Sequence, residues 1–348
     1  MKTLNATKFP PVPSGKSGWP WTEDFELLTA VMPSGKPWPK ISIVTPSYNQ
    51  GQYLEETIRS VLLQRYPNIE YIIIDGGSTD GSIEVIKKYE EWLTYWVSEP
   101  DKGQSDAINK GIAKCTGNIF NWLCSDDYLE RNSLIDIAKN LEDEGVNVCC
   151  GISRLLHCDG SVSYAKTPIR ENIEKTISVG SICQPSTYFK FEVIRSLGYL
   201  RTDLHYGMDS ELWVKYLLRY GCLNIIRTDT ILVNYRYHEK SKSVSQANLF
   251  DHDFNAIRYS VLELFNAPKF VKKYYFDSKI NNISKLSDIK LVHSSIVRKK
   301  IIACYLTKSR SDSFRDLNLS DVVLNLIYSL YLEQSEHLFG WVGRRIKR

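Results

Sequence analysis

A chain of 348 residues can hold one large domain, or a catalytic domain with an appendage. Its 43% apolar and 24% charged residues are the balance of a globular protein with a real core, and no apolar run approaches the roughly 18 residues of a membrane-spanning helix. The formal net charge is only +4 with dispersed basic residues, which argues against a nucleic-acid partner, because such surfaces concentrate Lys and Arg in a stripe.

Residues 1–38 are rich in Pro, Gly, Ser and Trp, as in Gly18-Trp19-Pro20-Trp21, and read as an irregular arm pinned to the domain by its tryptophans. No apolar leader follows Lys2, and the eight cysteines show no CxxC spacing; both features point to a cytoplasmic protein with reduced thiols. Regular structure is expected from residue 41. Short β-branched runs at 41–45, 69–74, 95–97 and 119–123 read as buried strands, and helices are predicted at 51–63, 82–89 and 104–113. Strands alternating with helices make this an α/β chain with a mostly parallel sheet, in which ligands bind at the carboxyl ends of the strands. Further on, strands are predicted at 162–165, 186–190 and 231–237, and helices at 191–197 and 209–220. Beyond 246 the chain reads as helical and charged.

The loops after the first four strands are all polar. In Asp75-Gly76-Gly77-Ser78-Thr79-Asp80-Gly81, the glycines permit close backbone approach and Asp75 could accept a bond from a nucleobase; equally, Asp-Gly-Gly makes a tight turn. Ser125-Asp126-Asp127 ends a strand with two adjacent carboxylates, which repel each other unless a cation or donors offset the charge. Mg or Mn sites share such carboxylates with substrate phosphates, whereas a helix N-cap near Asn132 needs a single Asp.

Ile41-Ser42-Ile43-Val44-Thr45-Pro46-Ser47-Tyr48-Asn49, the Ile73–81 loop, Asp101-Lys102-Gly103 with Asn109-Lys110-Gly111, and Ser125-Asp126-Asp127 together resemble the family 2 inverting glycosyltransferases over residues 38–240. The resemblance implies a GT-A fold, Rossmann-like, with a catalytic domain at 39–245 and a helical C-terminal extension at 246–348. Residues 39–130 would form its nucleotide-sugar half and 131–245 its acceptor half. It implies that Thr45, Pro46 and Asp75 hold the nucleoside, with Ser47, Tyr48, Asn49, Gly76 and Ser78 beside them. Asp101, Lys102, Gly103, Asn109, Ser125 and Asp126 would complete the donor site. Asp126 and Asp127 would form the DxD-type element for a divalent metal, Mn or Mg, with His238 as a further candidate ligand or a structural residue. Cys124 stands where many members carry an Asp, and a thiol is a poor ligand for these ions. Asp209, opening a helix in Tyr206-Gly207-Met208-Asp209-Ser210-Glu211-Leu212-Trp213, matches the catalytic base, with Glu211 second. Gln184, Pro185 and Trp213 would border the acceptor.

The implied activity is inverting transfer of a single sugar from a nucleotide-diphosphate sugar, UDP favoured, to a hydroxyl of a saccharide or lipid-linked acceptor in surface polysaccharide or glycoconjugate synthesis. The alternatives are a catalytically degenerate sugar-binding module of the same fold, or a nucleotidyltransferase, whose Gly-rich basic loop the segment Pro46-Ser47-Tyr48-Asn49-Gln50 does not match. The apolar stretch 322–332 reads as a helix packed on the core. With the basic tail at 338–348, it leaves a peripheral contact with the inner face of the cytoplasmic membrane open.

Overall fold

The computed structural model describes residues 9–22, 29–239, 241–246, 249–276, 286 and 291–312. These fall into two compact units. The first draws on Met1–Thr167, Ile182–Asp209 and Asn224–Ala247, and the second on Pro168–Ser181, Ser210–Leu223 and Asn248–Arg348.

Strands β1 (Ile41–Ser47), β2 (Ile69–Asp75), β3 (Tyr95–Ser98) and β4 (Ile119–Trp122) of the first unit are connected through helices α1 (Gly51–Leu62), α2 (Ser82–Tyr89) and α3 (Gln104–Ile112). They pair in parallel in the order β3-β2-β1-β4. Every residue of β1, β2 and β4 is buried, which is why they read as unbroken apolar runs rather than alternations. Side-chain period two sends Ile41, Ile43, Tyr71 and Ile73 into one core cluster with Leu54, Ile58, Val61 and Leu62 of α1. Each such fully buried aliphatic side chain contributes about 1.5–3 kcal/mol. The register aligns Ser47 with Asp75 and Asp75 with Ser98, so three strands end level and release their loops along one edge.

Past β4 the sheet becomes mixed. It continues through β8 (Thr187–Lys190), β6 (Val148–Leu156), β9 (Ile225–Arg236) and β5 (Tyr128–Leu129), with β7 (Val162–Lys166) alongside β6. Strands β6 and β9 run parallel, and the other pairings here are antiparallel. The β6–β9 register shifts between Cys150 and Ile152. A Cβ on the intervening Gly151 would lie 2.4 Å from Leu232 Cδ1, so this bulge requires glycine. Strand β6 was not expected from the sequence, and β9 begins six residues before the predicted 231. Helices α4 (Ser133–Asn140) and α6 (Phe191–Leu197) complete the flanking layers.

The arm belongs to the first unit and is held by its tryptophans, as expected, together with Arg59 of α1. That side chain is buried, lies over the rings of Phe9 and Trp21, and donates to the carbonyls of Pro10, Pro20 and Trp21. Trp19 donates from Nε1 to Leu129 O at 2.8 Å, and Trp38 to Thr29 O at 2.9 Å.

The second unit is helical. It comprises α5 (Ile173–Val179), the part of α7 (Met208–Tyr220) from Ser210 onward, α9 (Phe250–Leu264), α10 (Lys269–Lys272) and α11 (Ser295–Asp312). The division is not the linear one expected at residue 245. Residues 168–181 and 210–223 cluster with the C-terminal helices because α5 packs on α11, where Tyr305 donates its hydroxyl to Ile177 O at 3.4 Å. Among the described residues no helix is long and apolar enough to cross a membrane. The stretch 322–332 and the basic tail lie outside the described residues.

Candidate functional site

The first loops of the strand-end edge are organised from within. Asp75 is fully buried, and its carboxylate accepts bonds from the backbone of Gly77 and Ser78 and from the hydroxyls of Ser78 and Ser98. It therefore shapes the turn. Asn49, at φ 52°, receives a bond from Thr79 N on Oδ1 and gives its own N–H to Ser78 Oγ, joining the first loop to the second. Thr45 is buried against Tyr71, at 3.1 Å between hydroxyls, and Pro46 is buried beside it. Ser47 Oγ is buried with no hydrogen-bond partner among the described residues, while the Tyr48 ring is 62% exposed. Gly76 sits between that ring and Asp101: a Cβ there would lie 2.6 Å from Asp101 Oδ2 and 3.3 Å from Tyr48 Cδ2. The other Asp101 oxygen accepts from Gly103 N at 2.7 Å, and Lys102 gives its N–H to Asp106 at 3.1 Å.

Asp126 and Asp127 occupy the turn after β4. Thr57 of α1 donates its hydroxyl to the carbonyls of Ser125 and Asp127, fixing the backbone below them. Asp127 is buried; Oδ1 accepts from Arg236 N at 3.0 Å, and Oδ2 has no partner among the described residues. Burial, reinforced by the charge of Asp126, holds the Asp127 carboxyl well above the usual carboxylate range. His238 Nε2 lies 3.0 Å from Asp126 Oδ2, and its ring packs on Tyr53 at 4.8 Å. Cys124, Asp126 and Asp127 offer ligand atoms within 4.8 Å of one another. The fit to a hard divalent cation rests on the two carboxylates and the orphaned Asp127 oxygen, with the thiol a weak third donor. Burial pushes the Cys124 thiol far up, and the charges of Asp126, Asp127 and Asp209 raise it further.

Helix α7 starts at Met208, placing Asp209 half-buried in its first turn, where the helix dipole favours a carboxylate. The helix was expected to open at Asp209 and begins one residue earlier. Several expected residues turn out to brace the structure. Asn109 bonds both backbone groups of Leu200, at 2.8 and 2.9 Å, tying α3 to the segment after α6. Gln184 is buried and donates to Asn121 Oδ1 and Trp122 O, while Pro185 O accepts from Asn121. In the second unit, Glu211 is buried and ion-paired with Lys215 at 2.8 Å, and Trp213 is fully buried, stacked on Tyr216 with centroids 5.3 Å apart. An indole with no accessible surface packs a core and does not border a pocket, and Glu211 is committed to its pair with Lys215.

Two cations escaped the sequence reading. Arg236, at the end of β9, pairs with Glu56 at 2.7 Å, reaches Asp126 O, and lies between the rings of Tyr53 and Tyr128. Lys242, in the short helix α8 (Lys242–Ser245), donates to Gln104 Oε1 and His205 O, both at 3.1 Å, and Gln104 in turn contacts Cys124 Sγ at 3.2 Å. The signal available was Tyr235-Arg236-Tyr237-His238, a cation beside the one His already singled out.

Residues 42–198 match the model of glycosyl transferase family 2. An uncharacterized glycosyltransferase of Rickettsia typhi is 29% identical over 224 residues, covering 60% of this chain and 68% of that protein. Glycosyltransferase GlyA of Streptococcus pneumoniae is 28% identical over 221 residues, which cover 59% of this chain but only 31% of GlyA. The crystal structure of S. aureus TarS 1-349 in complex with UDP-GlcNAc superposes with a TM-score of 0.56 at 17% identity, covering 84% of this chain and 81% of that one. Residues 42–198, with their strand-end loops and acidic turn, match glycosyl transferase family 2, and the chain has the GT-A fold.

Proposed function

We propose that the chain moves one sugar from a nucleotide-diphosphate sugar to an acceptor hydroxyl with inversion at the anomeric carbon. The observation that carries this is the buried acidic turn, where Asp127 keeps one oxygen without a partner among the described residues beside Asp126. UDP-GlcNAc, present in the TarS complex, is the first donor to test. Asp126 and Asp127 would hold a divalent cation, Mn or Mg, which when bound neutralises charge on the leaving diphosphate. Tyr48, exposed beside Gly76, offers an aromatic face for the nucleobase, and Ser47 Oγ, without a partner among the described residues, a hydrogen-bonding group at the strand end. Arg236 and His238 keep the two carboxylates oriented. Asp209, in the first turn of α7, takes the proton of the attacking hydroxyl.

Asp209→Asn keeps the shape and removes the base. Turnover with UDP-GlcNAc and an acceptor is expected to fall by roughly 100-fold or more, with UDP affinity unchanged. Wild-type turnover in this variant would remove Asp209 from the mechanism. The acceptor's class, saccharide or lipid-linked, is read from the product of the same assay.

A further inference from the structure

A cavity of about 390 Å³ opens beside β5 and β9, lined by Trp19, Tyr128, Glu130, Arg131, Arg154 and Asn234. That volume lies inside the roughly 300–1,000 Å³ range of small-molecule sites. None of these six residues was assigned to the donor or acceptor above, and Trp19 comes from the arm, ahead of the segment that matches the family. The wall is built. Trp19 is fixed by its bond to Leu129 O, and Arg131 lies over its ring at 5.7 Å. Arg154 Nη1 donates to Glu130 Oε2 at 2.7 Å and to Asn234 Oδ1 at 3.1 Å, with Asn234 itself buried. A guanidinium carries five N–H groups in a rigid fork, and among the described residues the bonds of Arg154 engage Nη1 alone, leaving the Nε–Nη2 edge for a planar anion. The Tyr128 hydroxyl has no protein partner among the described residues. Two lining charges are positive and one is negative.

We propose that this cavity binds an acidic sugar unit, a pyranose bearing a carboxylate or a phosphate. Its apolar C–H face would pack on the Trp19 indole, its acid group would meet the open edge of Arg154 with Arg131 nearby, and its hydroxyls would reach Tyr128 and Glu130. Such binding is independent of the transferase chemistry proposed above, and it is measured without donor or turnover.

The test is NMR on the full chain, following the indole N–H signals, with the Trp19 signal assigned by Trp19→Phe. Glucuronic acid and glucose 1-phosphate are titrated separately, which distinguishes the two acid groups. Glucose serves as the neutral reference and inorganic phosphate as the bare ion. Saturable shifts of the Trp19 signal are expected for at least one acidic sugar, with affinity roughly 10-fold or more above that of glucose, and a loss of roughly 10-fold in Arg154→Gln. Arg131→Gln, at an exposed position, gives the same direction without risk to folding. Equal affinity for glucose and both acids, binding of inorganic phosphate as tight as that of the sugars, or unchanged affinity in both Arg variants would overturn the assignment.

Discussion

Asp127 is under two opposing demands. It must be a carboxylate to hold a cation, yet burial and the neighbouring Asp126 charge make it resist ionisation when no cation is there. The sign of the linkage follows. A carboxyl held above its unfolded-state pKa contributes its full stability below that value, about 3.9, and loses it as pH rises through the folded-state value. The cation-free protein should therefore lose stability as pH rises from the usual carboxylate range towards neutrality. Asp127→Asn should flatten that loss, raise the cation-free melting temperature at neutral pH by roughly 2–4 °C, and abolish any stabilisation by Mn. Melting curves between acid and neutral pH check this; an identical pH slope in both proteins would refute it. At this scale the residue types were legible and their partners were not. The sequence shows two adjacent carboxylates, but not that Asp75 is consumed by its own turn and by Ser98 of the neighbouring strand, or that Trp213 is sealed in a core.

At the scale of elements, β9 governs the site from behind. It pairs Asn234 with Tyr128 and Val233 with Leu129, so β5 continues directly from the acidic turn into this pairing, and Arg236 at its end grips that turn. Residues that orient metal ligands commonly change affinity by about 10–100-fold when replaced. Arg236→Gln is expected to weaken Mn-dependent UDP binding by that order, with little loss in the nucleotide's Mn-independent binding; an unchanged affinity would make Arg236 purely structural. The first three βα units were readable because fully buried parallel strands are compact apolar runs bounded by polar loops. Strand β6 was not, since its Val148-Cys149-Cys150-Gly151 start has neither alternation nor β-branched richness and holds the bulge. Helix α5 was missed, although Asn172 caps it by accepting from Lys175 N.

For the whole molecule, the arm and the interleaved units matter most. Arg59 fastens the arm by bonds to three backbone carbonyls and contacts with two aromatic rings, from a position only 3% exposed. Arg59→Ala leaves those carbonyls without their donor and should destabilise the protein by about 2–4 kcal/mol in chemical denaturation. A loss under about 0.5 kcal/mol, the usual size for a surface change, would mean the arm is held by other contacts. The sequence located the arm and its tryptophan anchors by composition but missed Arg59, since an Arg in the middle of an apolar helix face carries no label of its partner. The most direct measurement of the central claim is calorimetric titration of UDP into the full chain with and without Mn, repeated with Asp126 and Asp127 both changed to Ala. Binding that depends on Mn in the wild type, and weakens by roughly 10-fold or more in the variant, is the predicted result; equal affinity in all four titrations would contradict it.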